Sequence, residues 1–230
     1  MPTSLGRACE PARSRCPTPP WRQCLQLTES EGELSVEAQK STFVTDMLGR
    51  RARLAPNRVA LEDAATGRTL TYAEWEAQAN RTANFLRFLG VQSGDRVAVY
   101  AANSIGYLDV WMACGKIGAI LQNLNWRLAP PELEGLLNDA APRVLVYSGE
   151  FVTSVNALRP ALTSVEHYVA HDEWAAEGDT AFSGRDAYPH TLAERPDLHP
   201  DQPWVMCYTG GTTGVPKGAI LTHANMTWNS

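Results

Sequence analysis

Apolar residues recur at regular spacing from Thr42 onward. A cap at Thr42 followed by Phe43, Val44, Met47, Leu48 and Arg51 at helical spacing predicts a first helix, ended by Pro56. Val59 to Leu61 and Arg68 to Thr71 read as two short strands joined by a turn at Asp63 to Gly67. Thr71 and Glu74 have the spacing of a capping box, so a helix starts at Tyr72. Its apolar positions Tyr72, Trp75, Ala79, Ala83, Leu86 and Leu89 recur every three or four residues, and Gly90 supplies the left-handed residue that closes it. A helix with one such face packs on a sheet.

The pattern then alternates. Arg96 to Tyr100 reads as a buried strand, Ile105 to Lys116 as a helix opened near Asn103, and Ala119 to Gln122 as a strand. Pro130 and Pro131 start a helix through Leu137, and Arg143 to Tyr147 is a further strand. Val165 to Val169 alternates like a strand, as do Trp204 to Cys207 and Gly218 to Leu221, and Thr222 caps a last helix. Strands alternating with helices through short connections predict an α/β fold of βαβ units with a mainly parallel sheet. Residues 171 to 203, punctuated by Gly178, Gly184, Pro189, Pro196, Pro200 and Pro203, read as an irregular connection with little chemistry. No internal repeat is visible. Residues 1–41 differ: Pro2, Pro11, Pro17, Pro19 and Pro20 are scattered among Arg7, Arg13, Arg15 and Arg22 without a period, which predicts a disordered tail ahead of a folded part at 42–230.

Composition narrows the function classes. The 230 residues are 44% hydrophobic and 20% charged, which excludes wholesale disorder, collagen and coiled coil. A net charge of -5 argues against a general nucleic-acid binder, which needs a basic face to displace counterions, so any phosphate must be held locally. Asp109 and Lys116 interrupt the longest apolar stretch, Ile105 to Leu121, so no membrane span is expected. Five cysteines are too few for a disulfide scaffold; Cys9, Cys16 and Cys24 lack CxxC pairing, and Cys114 and Cys207 sit in apolar runs. A cytoplasmic protein is the expectation.

The candidate chemistry lies in Tyr208 to Gly218, YTGGTTGVPKG, where four glycines, three threonines and one lysine fall within eleven residues. Gly210, Gly211 and Gly214 permit backbone turns that point N–H groups inward, Thr209, Thr212 and Thr213 add hydroxyls, and Lys217 adds a cation. Such donors suit a polyphosphate. The spacing departs from GxxxxGK[ST], because Pro216 precedes Lys217 and Gly218 follows it, and from GxGxxG, because Gly210 and Gly211 are adjacent. Strand-like runs on both sides predict a loop joining two strands, without a helix dipole behind the phosphates.

These residues resemble the phosphate-loop signature [ST]GTTGxPKG of the adenylate-forming acyl-activating enzymes. Gly210 stands where many members carry serine, and the TGGTTG version is similar to that of the fatty acyl-CoA ligases. Leu70, Thr71, Tyr72 and Glu74 are similar to the family's LTYxEL segment, and Gly115 through Leu128 to its GxxxxPLNPRL region. The resemblance, from about Thr42 to Ser230, implies the N-terminal part of the family's large domain. It implies ATP-dependent activation of a carboxylic acid, a fatty or other hydrophobic one, to an acyl adenylate and then a coenzyme A thioester. Thr209, Gly210, Gly211, Thr212, Thr213, Gly214 and Lys217 would hold the phosphates, and Lys217 would neutralise charge on the departing pyrophosphate. It also implies that the Mg2+ ligand, the adenine and ribose contacts and the lysine at the acyl carboxylate lie downstream of Ser230, so the 230 residues alone are expected not to catalyse adenylation. An amino-acid-adenylating domain, and a truncated protein binding nucleotide or a partner without catalysis, are the alternatives.

Other polar and aromatic residues have plainer readings. His167 and His171 read as a solvated strand edge rather than a metal pair, and His223 as an exposed first-turn residue. Trp75 and Trp111 fall on apolar helical faces and read as core. Asp95 with Arg96 reads as a strand-entry turn, and Asp139 with Arg143 as a surface pair.

Overall fold

Successive residues of the central strands go to opposite faces, and both faces are covered. The computed structural model describes residues 46–172, 176–209 and 216–229, all within the unit Phe43–Ser230. The tail at 1–41, with Cys9, Cys16 and Cys24, lies outside the described residues, as do Phe43 and Val44.

Helix α1 (Met47–Leu54) is capped by Asp46, whose carboxylate accepts from the Gly49 N–H at 3.0 Å. Strands β1 (Val59–Glu62) and β2 (Thr69–Thr71) form a separate antiparallel pair. The Asp63 side chain organises their turn, accepting from the N–H groups of Ala65 and Thr66 at 2.9 and 3.1 Å. The capping box at Thr71 and Glu74 forms as read and opens α2 (Tyr72–Phe88), and Gly90 follows the helix at φ 82°.

The remaining strands are β3 (Arg96–Tyr100), β4 (Ile120–Asn123), β5 (Val144–Tyr147), β6 (His167–Ala170), β7 (Thr180–Ala181), β8 (Pro203–Thr209) and β9 (Lys217–Thr222). They make one seven-stranded sheet in the order β7-β6-β5-β3-β4-β8-β9, parallel except for the β8–β9 pair. The helices between them are α3 (Ile105–Ile117), α4 (Pro130–Ala140) and α5 (Val152–Leu158), and α6 (His223–Trp228) follows β9. Val97, Val99, Leu121, Val144, Val146 and Val205 pack with α2 and α3, whereas Ala98, Tyr100, Leu145 and Tyr147 pack with α4 and α5. This three-layer α/β arrangement bears out the fold class. Element ends differ by a few residues: α1 is capped by Asp46 rather than Thr42, α3 by Ser104 rather than Asn103, and α4 runs on to Ala140.

Three readings need correction. His223 is fully buried rather than exposed, because the β8–β9 hairpin returns the start of α6 against the sheet and stacks its ring on Trp204 at 4.9 Å. Arg143 pairs with Glu166 and Asp95 rather than Asp139, since β5 enters beside both. Residues 176–200 form a strap across α2 rather than a chemically plain connection. Past β7 and the 3-10 turn at Phe182–Ala187, strap carbonyls take their donors from side chains of the helix: Asn84 donates to the Pro189 and Thr191 carbonyls, Asn80 to that of His190 and Arg87 to that of Glu194, at 2.8 to 3.0 Å.

Gly115 lets α3 approach the first residues of β8. A Cβ there would lie 2.3 Å from the Trp204 ring, which is itself held by its Nε1–H donating to the Trp111 carbonyl at 3.0 Å and by the His223 stack. Gly115→Ala therefore overpacks a wall that cannot retreat. Its expected cost is about 1–3 kcal/mol in urea unfolding. An unchanged midpoint would show that Trp204 is free to shift.

Candidate functional site

The connections leaving the adjacent C-terminal ends of β4 and β8 run to opposite sides of the sheet, β4 toward β5 and β8 toward β9. In open α/β sheets a ligand crevice opens at such a divergence. The YTGGTTGVPKG segment departs from this point.

Thr209 ends β8 and Lys217 begins β9, and the antiparallel register makes them direct partners. The Thr209 hydroxyl donates to the Lys217 carbonyl at 3.4 Å, closing the neck of the connection, and both residues are exposed at the sheet end. Gly210, Gly211, Thr212, Thr213 and Gly214 lie outside the described residues. The structure thus brings Thr209 and Lys217 together and carries the connection between two strands, without a helix N-terminus immediately after it.

Beneath this neck is a polar contact that sequence reasoning missed. Asn123, the last residue of β4, pairs in register with Cys207 of β8, accepts from the Tyr107 hydroxyl at 2.7 Å and donates to the Cys207 sulfur at 3.9 Å. Burial pushes the Tyr107 phenol well above its ordinary value, with Cys207 and Cys114 adding to the effect, so it stays a neutral donor. Asn123 is thereby held at the C-terminal end of β4, between Tyr107 of α3 and Cys207 of β8. The only sequence signal was a polar residue ending an apolar strand.

The other candidates separate. His171 is not at a solvated edge: it lies just past β6, stacked on Phe182 at 5.1 Å, with Nε2 3.5 Å from the Ser104 hydroxyl. Burial lowers its imidazole below the usual 6.5, the Asp172 charge opposes this and Arg185 adds to it. Among the described residues no group of three or more His, Cys, Asp or Glu is placed to hold a metal ion. Trp75 is core, as read. Trp111 is half-buried, and with Leu61, Ile105, Tyr107 and Leu108 it lines a cavity of about 500 Å³ between the β1–β2 turn and α3.

Comparison with known proteins agrees with this architecture. The family described as AMP-binding enzyme matches residues 48–230. A feruloyl-CoA synthase from Amycolatopsis sp is 40% identical over 183 residues, which cover 78% of this chain and 33% of that protein. A long-chain-fatty-acid–CoA ligase from Thermus thermophilus is 36% identical over 190 residues, covering 80% of this chain and 34% of its own length. Among solved structures, the anthranilate CoA ligase AuaEII in complex with anthranoyl-AMP superposes with a TM-score of 0.74 at 32% identity, covering 78% of this chain and 34% of that one. The chain spans about a third of the length of these curated relatives. With the family match running from α1 through the candidate loop to the last residue, the chain belongs to the AMP-binding enzyme family.

Proposed function

We propose that the protein carrying this chain activates a hydrophobic carboxylic acid with ATP and passes the acyl group to coenzyme A, and that the β8–β9 connection is its phosphate loop. The observation that carries this reading is the pairing of Thr209 and Lys217 at the neck of a glycine- and threonine-rich connection, at the end of the sheet where the strand order diverges. In the first step a carboxylate oxygen bonds to the α-phosphorus of ATP, the bond from that phosphorus to the bridging oxygen breaks, and pyrophosphate leaves. In the second, the coenzyme A thiolate bonds to the acyl carbon and AMP departs. Charge grows on the pyrophosphate oxygens during the first step, and preorganised donors and a cation lower the cost of that growth. Lys217 supplies the cation, and Thr209 with Gly210, Gly211, Thr212, Thr213 and Gly214 supplies donors around it.

The acid's character is supported by the relatives, whose names specify feruloyl, indoleacetate and long-chain fatty acyl substrates. Within this reading, residues 42–230 are the first part of a larger catalytic domain and 1–41 precede it. The nucleotide chemistry and the free thiols of Cys114 and Cys207 suit the cytoplasm. No helix among the described residues is long and apolar enough to cross a membrane.

The test is carboxylate-dependent ATP–pyrophosphate exchange by the whole protein. A charge-assisted hydrogen bond contributes about 1.5–3 kcal/mol, so Lys217→Ala should raise the KM for ATP or lower turnover by about 10- to 100-fold. Unchanged kinetics would remove Lys217 from the mechanism. ATP binding without exchange would favour a non-catalytic nucleotide-binding protein.

A further inference from the structure

Tyr208 is the residue on which the candidate loop is hung. Along β8 its side chain points to the face opposite Cys207, where it packs against the margin of the core built with α4. Its hydroxyl donates to Asp139 Oδ2 at 2.5 Å, near the C-terminal end of α4. Its ring faces Gly218, its register partner on β9. A Cβ on Gly218 would stand 3.5 Å from Tyr208 Cζ and 3.3 Å from Met206 Cγ, so the glycine leaves the space that the ring and the neighbouring methionine fill. Three different elements, β8, α4 and β9, thus meet at one side chain.

That side chain immediately precedes Thr209, and Gly218 immediately follows Lys217. Anything that fixes Tyr208 against α4 and Gly218 against Tyr208 also fixes the two ends from which the loop departs. Burial raises the Tyr208 phenol, as do its hydrogen bond to Asp139 and the Asp139 charge, which keeps it protonated and donating. A surface hydrogen bond of this kind adds little to global stability, but it restricts the end of β8, from which the glycine-rich segment departs.

We propose that Tyr208 is a positioning residue for the phosphate loop, acting through its hydrogen bond to Asp139 and its contact over Gly218. This rests on the phosphate-loop reading above. In this role the pair holds Thr209 and Lys217, the two ends from which the loop departs, in place for nucleotide. The group never touches the reacting atoms.

The experiment compares wild type, Lys217→Ala, Tyr208→Phe, Asp139→Ala and the Tyr208→Phe/Asp139→Ala double variant in pyrophosphate exchange by the whole protein, with KM determined separately for ATP and for the carboxylic acid. Tyr208→Phe keeps the ring over Gly218 and loses only the hydroxyl. Tyr208→Phe and Asp139→Ala are each expected to raise the KM for ATP roughly five- to tenfold, leave that of the acid within twofold, and leave the melting temperature unchanged. The double variant should match the singles rather than multiply them, since both remove one bond. An ATP KM at the wild-type value in Tyr208→Phe, an equal rise in both KM values, or a double variant with multiplied effects would each overturn the positioning role. Lys217→Ala separates the two levels: if it is impaired while Tyr208→Phe is not, only the positioning role falls. If Lys217→Ala behaves as wild type, or wild type shows no exchange, the phosphate-loop reading falls and takes this inference with it.

Discussion

Replacing Arg185 by methionine is expected to destabilise the protein by about 3–5 kcal/mol, the cost of leaving a buried charge without its partner. Asp109 is completely buried on α3, and the Arg185 guanidinium reaches it from the strap with Nη1 2.5 Å from Oδ2. The same nitrogen donates to the Thr82 hydroxyl of α2 at 2.9 Å, and the guanidinium lies 4.3 Å above the Phe182 ring. One side chain thus joins strap, α2 and α3. The Asp109 carboxyl is pushed up by burial, against the pull of the Arg185 charge and hydrogen bond. A carboxyl whose folded pKa lies above its unfolded value of 3.8 contributes stability below that value and loses it as pH rises through the folded pKa. Without Arg185 the folded pKa rises further, so the deficit should be largest near neutrality and shrink when urea midpoints are taken from about pH 8 down to about pH 5. Adding Asp109→Asn to Arg185→Met should regain most of the loss, because both charges then go together. A deficit independent of pH would show that Asp109 does not carry the buried charge.

Little of this was readable from the chain. Local signals transferred well where the cause was local: the capping box at Thr71, the left-handed Gly90 and the continuous apolar run of the buried strand Arg96 to Tyr100 all depend on neighbours within a few residues. Asp109 and Lys116 appeared only as interruptions of an apolar run, because the groups that satisfy them are 76, 70 and 40 residues away. The strap read as plain because its regular pieces are only two and six residues long and the carbonyls of residues 189–191 and 194 are satisfied by side chains of α2, which leaves no periodicity. His223 read as exposed because a six-residue helix carries too few positions to show a buried face, and its burial is decided by Trp204 on another strand. The candidate site divides in the same way. The donor-rich composition of Tyr208 to Gly218 announces itself, and the pairing of Thr209 with Lys217 follows from the flanking strands. The contact of Asn123 with Tyr107 of α3 and the tether of Tyr208 to Asp139 of α4 join separate elements, for which one sequence has no signal.

Lys116→Met should be equally damaging, by about 3–5 kcal/mol, and its deficit should shrink in a more acidic range than that of Arg185→Met, because the carboxyl concerned is one the fold depresses rather than raises. The Lys116 ammonium, on a side chain only 2% exposed, sits between Asp46 at 2.9 Å and Glu76 at 2.7 Å, and Arg195 of the strap bonds the same two carboxylates from the solvent side. Two cations and two anions therefore close the junction of the α1 cap, α2, α3 and the strap. Burial alone would raise the Asp46 carboxyl, but the Lys116 charge and hydrogen bond, the Gly49 N–H and Arg195 outweigh it and hold the carboxyl below its usual 3.8. A carboxyl depressed in the fold contributes stability above its unfolded pKa and loses it as pH falls through the folded value. Wild type should thus weaken below about pH 3.8 as Asp46 takes up its proton. Without Lys116 the depression is largely removed, so this acid limb should flatten while the neutral-pH stability drops. Arg195 alone is a poor substitute, being 40% exposed and screened by water and salt. Hydrogen exchange localises the effect: amides of the first turn of α1 and of the strap near Arg195 should lose protection ahead of those in β3 and β5, which lie in the doubly covered sheet. Uniform loss across the sheet would mean that Lys116 supports the whole fold rather than this junction.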